Sequence, residues 1–166
     1  IKDYLDRIEV VRPGINVLSM VGHFTIRAGV LGLENSTSTD VELEKMKALV
    51  ARAMEDGAFG LSTGLAYAPG IYAETGEIIE LCKVVRQYGG IYTTHLRSES
   101  DSVIPAVAEA IRIGDEAGVP VQISHHKIMG KDNWGKSVET LKMMATARAI
   151  GVQVTCDQYP YNAGST

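Results

Sequence analysis

Cysteine is scarce in this sequence of 166 residues, and its scarcity argues against a disulfide-stapled fold. Only Cys82 and Cys156 are present, and neither belongs to a C-x-x-C motif. Both fall within predicted secondary structure, where we expect them to be core residues. So little cysteine is typical of a reducing compartment, and the expected location is therefore the cytoplasm.

Long apolar runs and an excess of positive charge are missing as well. No run approaches the roughly 20 apolar residues that a membrane-spanning helix needs. The net charge of −4 argues against a general nucleic-acid binder. What remains is ordinary for a globular protein, with 45% hydrophobic and 22% charged residues. We therefore expect one structural unit over residues 1–166, with neither nucleic acid nor membrane as a partner.

The sequence also lacks the dinucleotide-binding fingerprint and the H-E-x-x-H motif of helix-borne zinc sites. There is no G-x-G-x-x-G, and the glycines of GAFGLSTG (57–64) do not have its spacing. H-E-x-x-H is absent too. A flavodoxin-like nucleotide binder is a further alternative, and the lack of a G-x-G-x-x-G fingerprint disfavours it.

What is present is a repeated alternation of helical and strand patterns. Short apolar strands are predicted over 15–21, 58–62, 91–95, 119–125 and 152–157, with helices over 1–12, 40–56, 75–88, 101–117 and 137–150. Residues 22–38 are predicted as a glycine-containing loop. The last three strands begin roughly 30 residues apart, which is the size of one βαβ unit. The pattern indicates an α/β fold with parallel strands and crossover helices.

Two parallel architectures fit this alternation. An open doubly wound sheet of five strands suits the length. A TIM-like (β/α)₈ barrel also suits the pattern, but it typically needs about 250 residues, so only about five of its βα units would be present. In both architectures the chemistry lies at the carboxyl ends of the strands.

Histidines follow the predicted strand ends. The sequence places His23, His95, His125 and His126 within a residue or two of these ends, and none of them in a predicted helix. His95 and His125 are separated by one βα unit, so their strands would be neighbours roughly 5 Å apart. Two imidazoles at adjacent strand tips can share a metal ion. Strand alternation does not decide between His125 and His126, because strand ends bend near sites.

Two basic residues stand close to these histidines. Lys127 and Arg97 could each receive a substrate carboxylate, the arginine with bidentate geometry. The alternative for Lys127 is an exposed surface position, and for Arg97 a salt bridge with Glu99 or Asp101.

Other polar residues crowd the same loops. Tyr67 and Tyr159 are suited to ligand contact, or else pack the loops onto the scaffold. Asp157, at the tip of the last strand, is either a base or ligand, or a turn carboxylate.

Consecutive segments of the sequence resemble signature segments of the N-acyl-D-amino-acid deacylases, or D-aminoacylases, of the amidohydrolase superfamily. The resemblance runs in order along the whole chain, and the combination of T-H-x-R, S-H-x-K and D-Q-Y-P-Y is specific. The segments are VGHFTIR (21–27), GAFGLSTGLAYAPG (57–70), GGIYTTHLRSES (89–100), GVPVQISHHK (118–127), NWGK (133–136) and DQYPYNAGST (157–166).

The resemblance implies a (β/α)₈ metallo-hydrolase barrel that uses zinc to activate water. The expected reaction cleaves the linear amide bond of an N-acyl-D-amino acid, a small-molecule substrate, to a carboxylate and a free D-amino acid. His95 and His125 match the zinc ligands of the family, which selects His125 over His126. The resemblance also implies substrate-binding roles for several loop residues: Tyr67, Lys127, Tyr159 and Ser165.

The chain also departs from the family pattern. The H-x-H pair of the first strand is absent, the cysteine ligand would precede residue 1, and the general acid/base aspartate would follow residue 166. The resemblance therefore implies the central part of a barrel, about strands three to seven, that is inactive alone and holds no catalytic acid or base of its own. Two alternatives stay open: a non-catalytic α/β unit that self-associates through exposed barrel edges, and a dihydroorotase-like hydrolase of cyclic amides.

Overall fold

Six α-helices and five short parallel strands lie within residues 1–164, which are the residues described by this computed structural model. Ser165, for which a pocket role is predicted, lies outside the described residues. The strands are β1 (Val21–Gly22), β2 (Gly60–Gly64), β3 (Ile91–His95), β4 (Val121–Ile123) and β5 (Val154–Cys156). The helices are α1 (Lys2–Val11), α2 (His23–Leu31), α3 (Asp40–Glu55), α4 (Thr75–Gln87), α5 (Val103–Ala117) and α6 (Ser137–Ala149).

The strands form one parallel sheet in which each strand pairs with the next one along the chain, in the order β1-β2-β3-β4-β5. A doubly wound sheet reverses its order at a switch point, and no reversal occurs within residues 1–164. Consecutive order is that of a (β/α)₈ barrel. The predicted α/β fold with barrel-type units is confirmed, and the alternative of a doubly wound sheet is wrong.

The core lies where the apolar faces of α4 and α5 cover β2, β3 and β4. Leu61, Tyr92 and Ile123 are fully buried on successive strands. The phenol of Tyr92 lies 2.8 Å from the Thr63 hydroxyl, so its polar end is satisfied inside the core. Burial raises the pKa of Tyr92 and keeps it neutral.

The two cysteines have different surroundings. Cys82 is buried in α4, as predicted, and burial raises the pKa of its thiol. The prediction of a core position is wrong for Cys156, which is exposed on β5. Strand parity suggests the core, but β5 is the last strand of the sheet within residues 1–164 and is flanked by β4 alone.

The region before α3 differs from its prediction. Most of the predicted strand 15–21 has no strand structure, and Ile15 and Leu18 are exposed. The predicted loop 22–38 contains α2, whose buried positions His23, Ile26 and Arg27 have helical spacing. Two of those three side chains are polar, so a search for apolar periodicity overlooks the helix. None of the helices within residues 1–164 is long and apolar enough to cross a membrane.

Gly114 lets α5 approach the sheet closely, and replacing it by alanine is expected to destabilise the fold. A Cβ atom there would lie 2.4 Å from a Val121 methyl group. Although alanine favours helices, the overpacking should cost about 1–3 kcal/mol in the free energy of unfolding, measured by urea denaturation. Gly29→Ala in α2 is the matched control, because nothing lies within 4 Å of its Cβ position. That variant should gain about 0.5–1 kcal/mol, and equal effects at the two sites would contradict the prediction.

Candidate metal centre

His95 and His125 meet at the carboxyl edge of the sheet. His95 is the last residue of β3, and His125 lies two residues beyond β4. The parallel register pairs Thr94 with Ile123, which brings both strand ends to the same edge. As a result His95 Nδ1 lies 2.9 Å from His125 Nε2, with 4.6 Å between the ring centroids.

The chain turns sharply at His125, and Asp157 holds that turn. The φ angle of His125 is 41°, in the left-handed region that side chains other than glycine rarely adopt. Its backbone N–H donates to Asp157 Oδ1 at 2.7 Å, and Gln122 donates to Asp157 Oδ2 at 2.7 Å. The next backbone N–H, of His126, donates to the Asp157 carbonyl at 2.8 Å. Of the two roles considered for Asp157, these contacts are those of a turn carboxylate.

His126 turns away from this edge and packs against α6. Its ring is buried, and its Nε2 lies 2.9 Å from the Thr140 hydroxyl. Burial lowers the pKa of His126 and favours the neutral ring. The structure thus brings His125 to His95 and gives His126 a packing position.

Glu99 is a member of this cluster that the sequence patterns do not identify as a site residue. Its carboxylate is 6% exposed, and one oxygen lies 2.9 Å from His125 Nδ1. Lys127 Nζ donates to the same carboxylate at 2.6 Å, while His95 Nε2 is 4.0 Å away. His95, Glu99 and His125 together offer ligand atoms that lie within 4.8 Å of one another. The available signal is the spacing of four residues from His95.

The electrostatics of the cluster favour neutral imidazole at His95. Burial lowers the pKa of His95, and the nearby His125 and Lys127 lower it further. Glu99 acts in the opposite direction, but its effect is outweighed. A neutral ring keeps a lone pair on nitrogen, which is the form of histidine that binds metals.

Three residues predicted to bind substrate surround the histidine pair. The Tyr67 ring lies 4.9 Å from the His95 ring, between centroids, and is 46% exposed. The ammonium of Lys127 lies 5.4 Å from the centre of the Tyr159 ring. The structure therefore gathers all three around the same edge, and their contact with substrate stays a prediction.

Arg97 has different partners from those considered in the sequence. Its guanidinium forms a bidentate pair with Glu109, through bonds of 2.9 and 2.8 Å. It also donates to the carbonyls of Ile71 and Ala73. The hydrogen bonds with Glu109 raise the pKa of Arg97. These contacts fix the loop after β2, and the predicted contact of Arg97 with a substrate carboxylate stays a prediction.

His23 belongs to a separate buried cluster. The prediction that no histidine lies in a helix is wrong, because His23 is the first residue of α2. Its Nε2 lies 2.8 Å from Glu77 Oε1, and Glu77 Oε2 accepts hydrogen bonds from Arg27 and, at 2.9 Å, from Ser38. This cluster ties α2 to the first turn of α4, and its contacts are structural.

Comparison with known proteins finds similar deacylases, although no family model matches the chain. A D-aminoacylase of Alcaligenes xylosoxydans xylosoxydans is 46% identical over 99% of this chain and 34% of its own length. An N-acyl-D-aspartate deacylase of the same organism is 43% identical over 99% of this chain and 33% of its own length. The chain thus spans about a third of the length of these curated relatives.

A solved structure gives the same result. The N-acyl-D-glutamate deacylase of Bordetella bronchiseptica, complexed with zinc and a phosphonate that mimics the tetrahedral intermediate, matches with a TM-score of 0.92 and 38% identity. The match covers 97% of this chain and 34% of that protein. In sequence and in structure, nearly the whole chain is therefore similar to about one third of the D-aminoacylases and N-acyl-D-amino-acid deacylases, which confirms the resemblance seen in its motifs.

Proposed function

We propose that this chain provides part of the zinc site and part of the substrate pocket of an N-acyl-D-amino-acid deacylase. The observation that carries the proposal is the His95–His125 pair at the carboxyl edge of a consecutive parallel sheet. That edge is where (β/α)₈ enzymes hold their active sites. The names of the relatives, which are a D-aminoacylase and an N-acyl-D-aspartate deacylase, support the substrate class.

The histidine pair fits a zinc ion by its chemistry and by its spacing. Zinc takes imidazole nitrogens at about 2.0–2.1 Å in a tetrahedral arrangement, which separates two such nitrogens by roughly 3.3 Å. His95 Nδ1 and His125 Nε2 are 2.9 Å apart, so a small rotation of either ring meets this requirement. Zinc bound here would lower the pKa of its water towards neutrality and polarise the amide carbonyl.

The surrounding residues would bind and orient the substrate. Lys127 presents an ammonium group beside the histidine pair, and we assign it the carboxylate of the N-acyl-D-amino acid. Tyr67 and Tyr159 flank His95 and Lys127, where they would fix the position of the amide and exclude water. Holding the amide and the carboxylate at two points converts binding energy into alignment of the scissile bond.

The proposal assigns this chain to about strands three to seven of an eight-stranded barrel. The sheet order supports this assignment, since four βα units and a fifth strand follow one another without a break in residues 1–164. Further zinc ligands and the aspartate that moves the proton then belong to other parts of the intact protein, and the substrate-binding role of Ser165 stays a prediction.

The test is hydrolysis of N-acyl-D-amino acids by the intact protein, with N-acyl-L-amino acids as the matched control. We expect turnover of neutral or acidic D-substrates, loss of turnover after treatment with a chelator, and recovery when zinc is restored. Turnover that survives complete removal of metal would contradict the zinc assignment. Turnover of cyclic amides alone would contradict the substrate class.

The isolated 166-residue chain is expected to show no turnover, because the proposal assigns some of the zinc ligands and the acid/base aspartate to other parts of the intact protein. The measurement compares purified chain and intact protein on the same N-acetyl-D-amino acid at the same zinc concentration. Measurable hydrolysis by the chain would overturn the proposed division of the site.

Asp157→Ala is expected to weaken zinc binding without touching a ligand. The variant removes the acceptor of the His125 backbone N–H and frees the left-handed turn. Loss of such outer support typically costs 10–100-fold in metal affinity, so an increase of about that size in the zinc Kd is expected in a competition titration. Asp157→Asn keeps an oxygen acceptor and should bind zinc almost normally. Equal losses in both variants would show that the negative charge matters and not the hydrogen bond.

A further inference from the structure

Glu99 is buried beside the proposed zinc site and has no role in the proposed function above. It lies in the loop between β3 and α5, where its carbonyl accepts a hydrogen bond of 2.7 Å from the Met129 backbone N–H. This bond ties the loop after β3 to the loop after β4. The side chain thereby reaches His125 and Lys127, which come from the next βα unit.

The two nitrogens of the His125 ring face different groups. Nε2 faces His95 Nδ1 at 2.9 Å, which is the proposed zinc position. Nδ1 faces the Glu99 carboxylate at 2.9 Å and the Lys127 ammonium at 3.1 Å. Glu99 is also next to the far nitrogen of His95, Nε2, at 4.0 Å. The carboxylate therefore lies against the ring atoms that point away from the facing pair.

The hydrogen bonds around Nδ1 then follow from donor chemistry. The Lys127 ammonium only donates, and the Glu99 carboxylate only accepts. Glu99 accepts from Lys127 at 2.6 Å, and Lys127 also donates to the His125 carbonyl at 3.0 Å. If His125 Nδ1 carries its proton, it donates to Glu99 as well, and the lone pair of Nε2 is left free for a metal. The opposite tautomer would direct an N–H at His95 and block that position.

The ammonium also argues against Glu99 as a direct zinc ligand. Glu99 and His125 Nδ1 are in direct contact at 2.9 Å, and a cation, the Lys127 ammonium, lies beside this contact at 2.6 and 3.1 Å from the two groups. A second cation placed there would meet strong repulsion in a buried setting. The cluster thus has two positions for positive charge, one on each side of the His125 ring.

We infer that Glu99 is a positioning residue that sets the tautomer of His125 and holds Lys127 in place over Tyr159. The inference rests on the proposed function for its zinc position. A carboxylate that accepts the second ring N–H of a metal-bound histidine is a known means of orienting the ring. Here the same carboxylate also neutralises the lysine proposed to bind substrate, so one buried charge supports both the metal and the substrate side of the site.

The test is Glu99→Gln in the intact protein, with Glu116→Gln as the matched control. Glu116 is an exposed carboxylate on α5 that pairs with Arg112 and touches neither histidine. In Glu99→Gln only one acceptor oxygen remains, whereas in the carboxylate Oε1 contacts both Lys127 and His125 Nδ1 and Oε2 contacts Lys127 alone. Without the negative charge, the amide oxygen can take the Oε2 position at Lys127. With the ammonium retaining that oxygen, the amide NH₂ would face Nδ1 and favour the tautomer with the proton on Nε2.

Two readouts are expected to change together. Competition with a chelator should show a zinc Kd increased by about 10–100-fold in Glu99→Gln and unchanged in Glu116→Gln. Nitrogen NMR of the metal-free protein, labelled at histidine, should show His125 protonated on Nδ1 in the wild type and shifted towards Nε2 in Glu99→Gln. Glu99→Asp, which keeps a carboxylate, should restore most of the Nδ1-protonated form.

The outcomes separate the possible roles. An unchanged tautomer and an unchanged zinc Kd in Glu99→Gln would overturn the inference. Complete loss of zinc with an unchanged tautomer in the metal-free protein would overturn it in favour of a direct ligand. If Glu99→Gln fails to fold, wild-type His125 protonated on Nε2 overturns the inference by itself. If zinc binding does not depend on His95 at all while the tautomer still shifts, the proposed function fails and the orienting role of Glu99 stands.

Discussion

His125→Gln is expected to abolish tight zinc binding by the intact protein, and His95→Gln should do the same. Each variant removes one of two facing nitrogens that are 2.9 Å apart. The loss should exceed the 10–100-fold that removal of an outer-shell partner costs, because a ligand atom itself is lost. The measurement is zinc content after gel filtration, together with a competition titration against a chelator of known affinity.

The neighbouring histidine supplies the matched control for this prediction. His126→Gln removes an imidazole one residue away, but that ring is buried against Thr140 and faces α6. Zinc content should therefore remain at the wild-type value in this variant. A loss of zinc in His126→Gln with retention in His125→Gln would reverse the assignment. Full zinc content in all three variants would remove the metal centre from this edge of the sheet.

Glu77→Ala is expected to lower the free energy of unfolding by about 3–5 kcal/mol, the usual cost of leaving a buried charge without its partner. The variant leaves the fully buried guanidinium of Arg27 without its carboxylate and removes the acceptor of His23. Urea denaturation with an unchanged m-value is the measurement. Glu80→Ala is the control on the same helix, because its exposed pair with Lys83 should contribute about 0–1 kcal/mol.

The same residue should give the protein an acid-dependent stability. Burial by itself would raise the pKa of Glu77, but hydrogen bonds from His23, Arg27 and Ser38 outweigh it and hold the pKa below its ordinary value of 4.5. The ionised carboxylate therefore contributes stability above pH 4.5, and that contribution is lost as the pH falls through the lower folded value. Between about pH 5 and pH 3 the stability of Glu77→Ala should fall less steeply than that of the wild type. Parallel curves would contradict the proposed contribution of Glu77.

Much of the fold can be predicted because local signals agree with one another in the second half of the chain. The strand predicted at 91–95 has the bounds that the structure shows, since its apolar residues follow a Gly-Gly stop. The helix α2 is not predicted, because its local sequence has no clear apolar pattern. Its inward face carries His23 and Arg27, whose burial depends on Glu77, which follows them by 54 and 50 positions along the chain. No local pattern contains that partner.

The residues of the site also differ in how well the sequence predicts their positions. The pairing of His95 with His125 follows from strand adjacency, which a spacing of one βα unit already indicates. The position of Glu99 and the role of Asp157 in the turn depend instead on the paths of the loops. The Met129 N–H fixes the Glu99 backbone, and the side chain of Asp157 accepts the N–H of His125. Loop paths of this kind are set by contacts between units, so residue type and spacing alone leave them open.

The consecutive order of the strands also bears on how the site is assembled in time. From β2 onwards, each strand pairs with one about 30 residues away, a single βα unit, so loop closure for every pairing is short and contact order is low for a parallel sheet. His95 and His125 come together in one such closure, when β4 docks against β3. During synthesis this step requires no strand beyond β4, so the two imidazoles can face each other while the Asp157 turn that later holds them is still inside the ribosome.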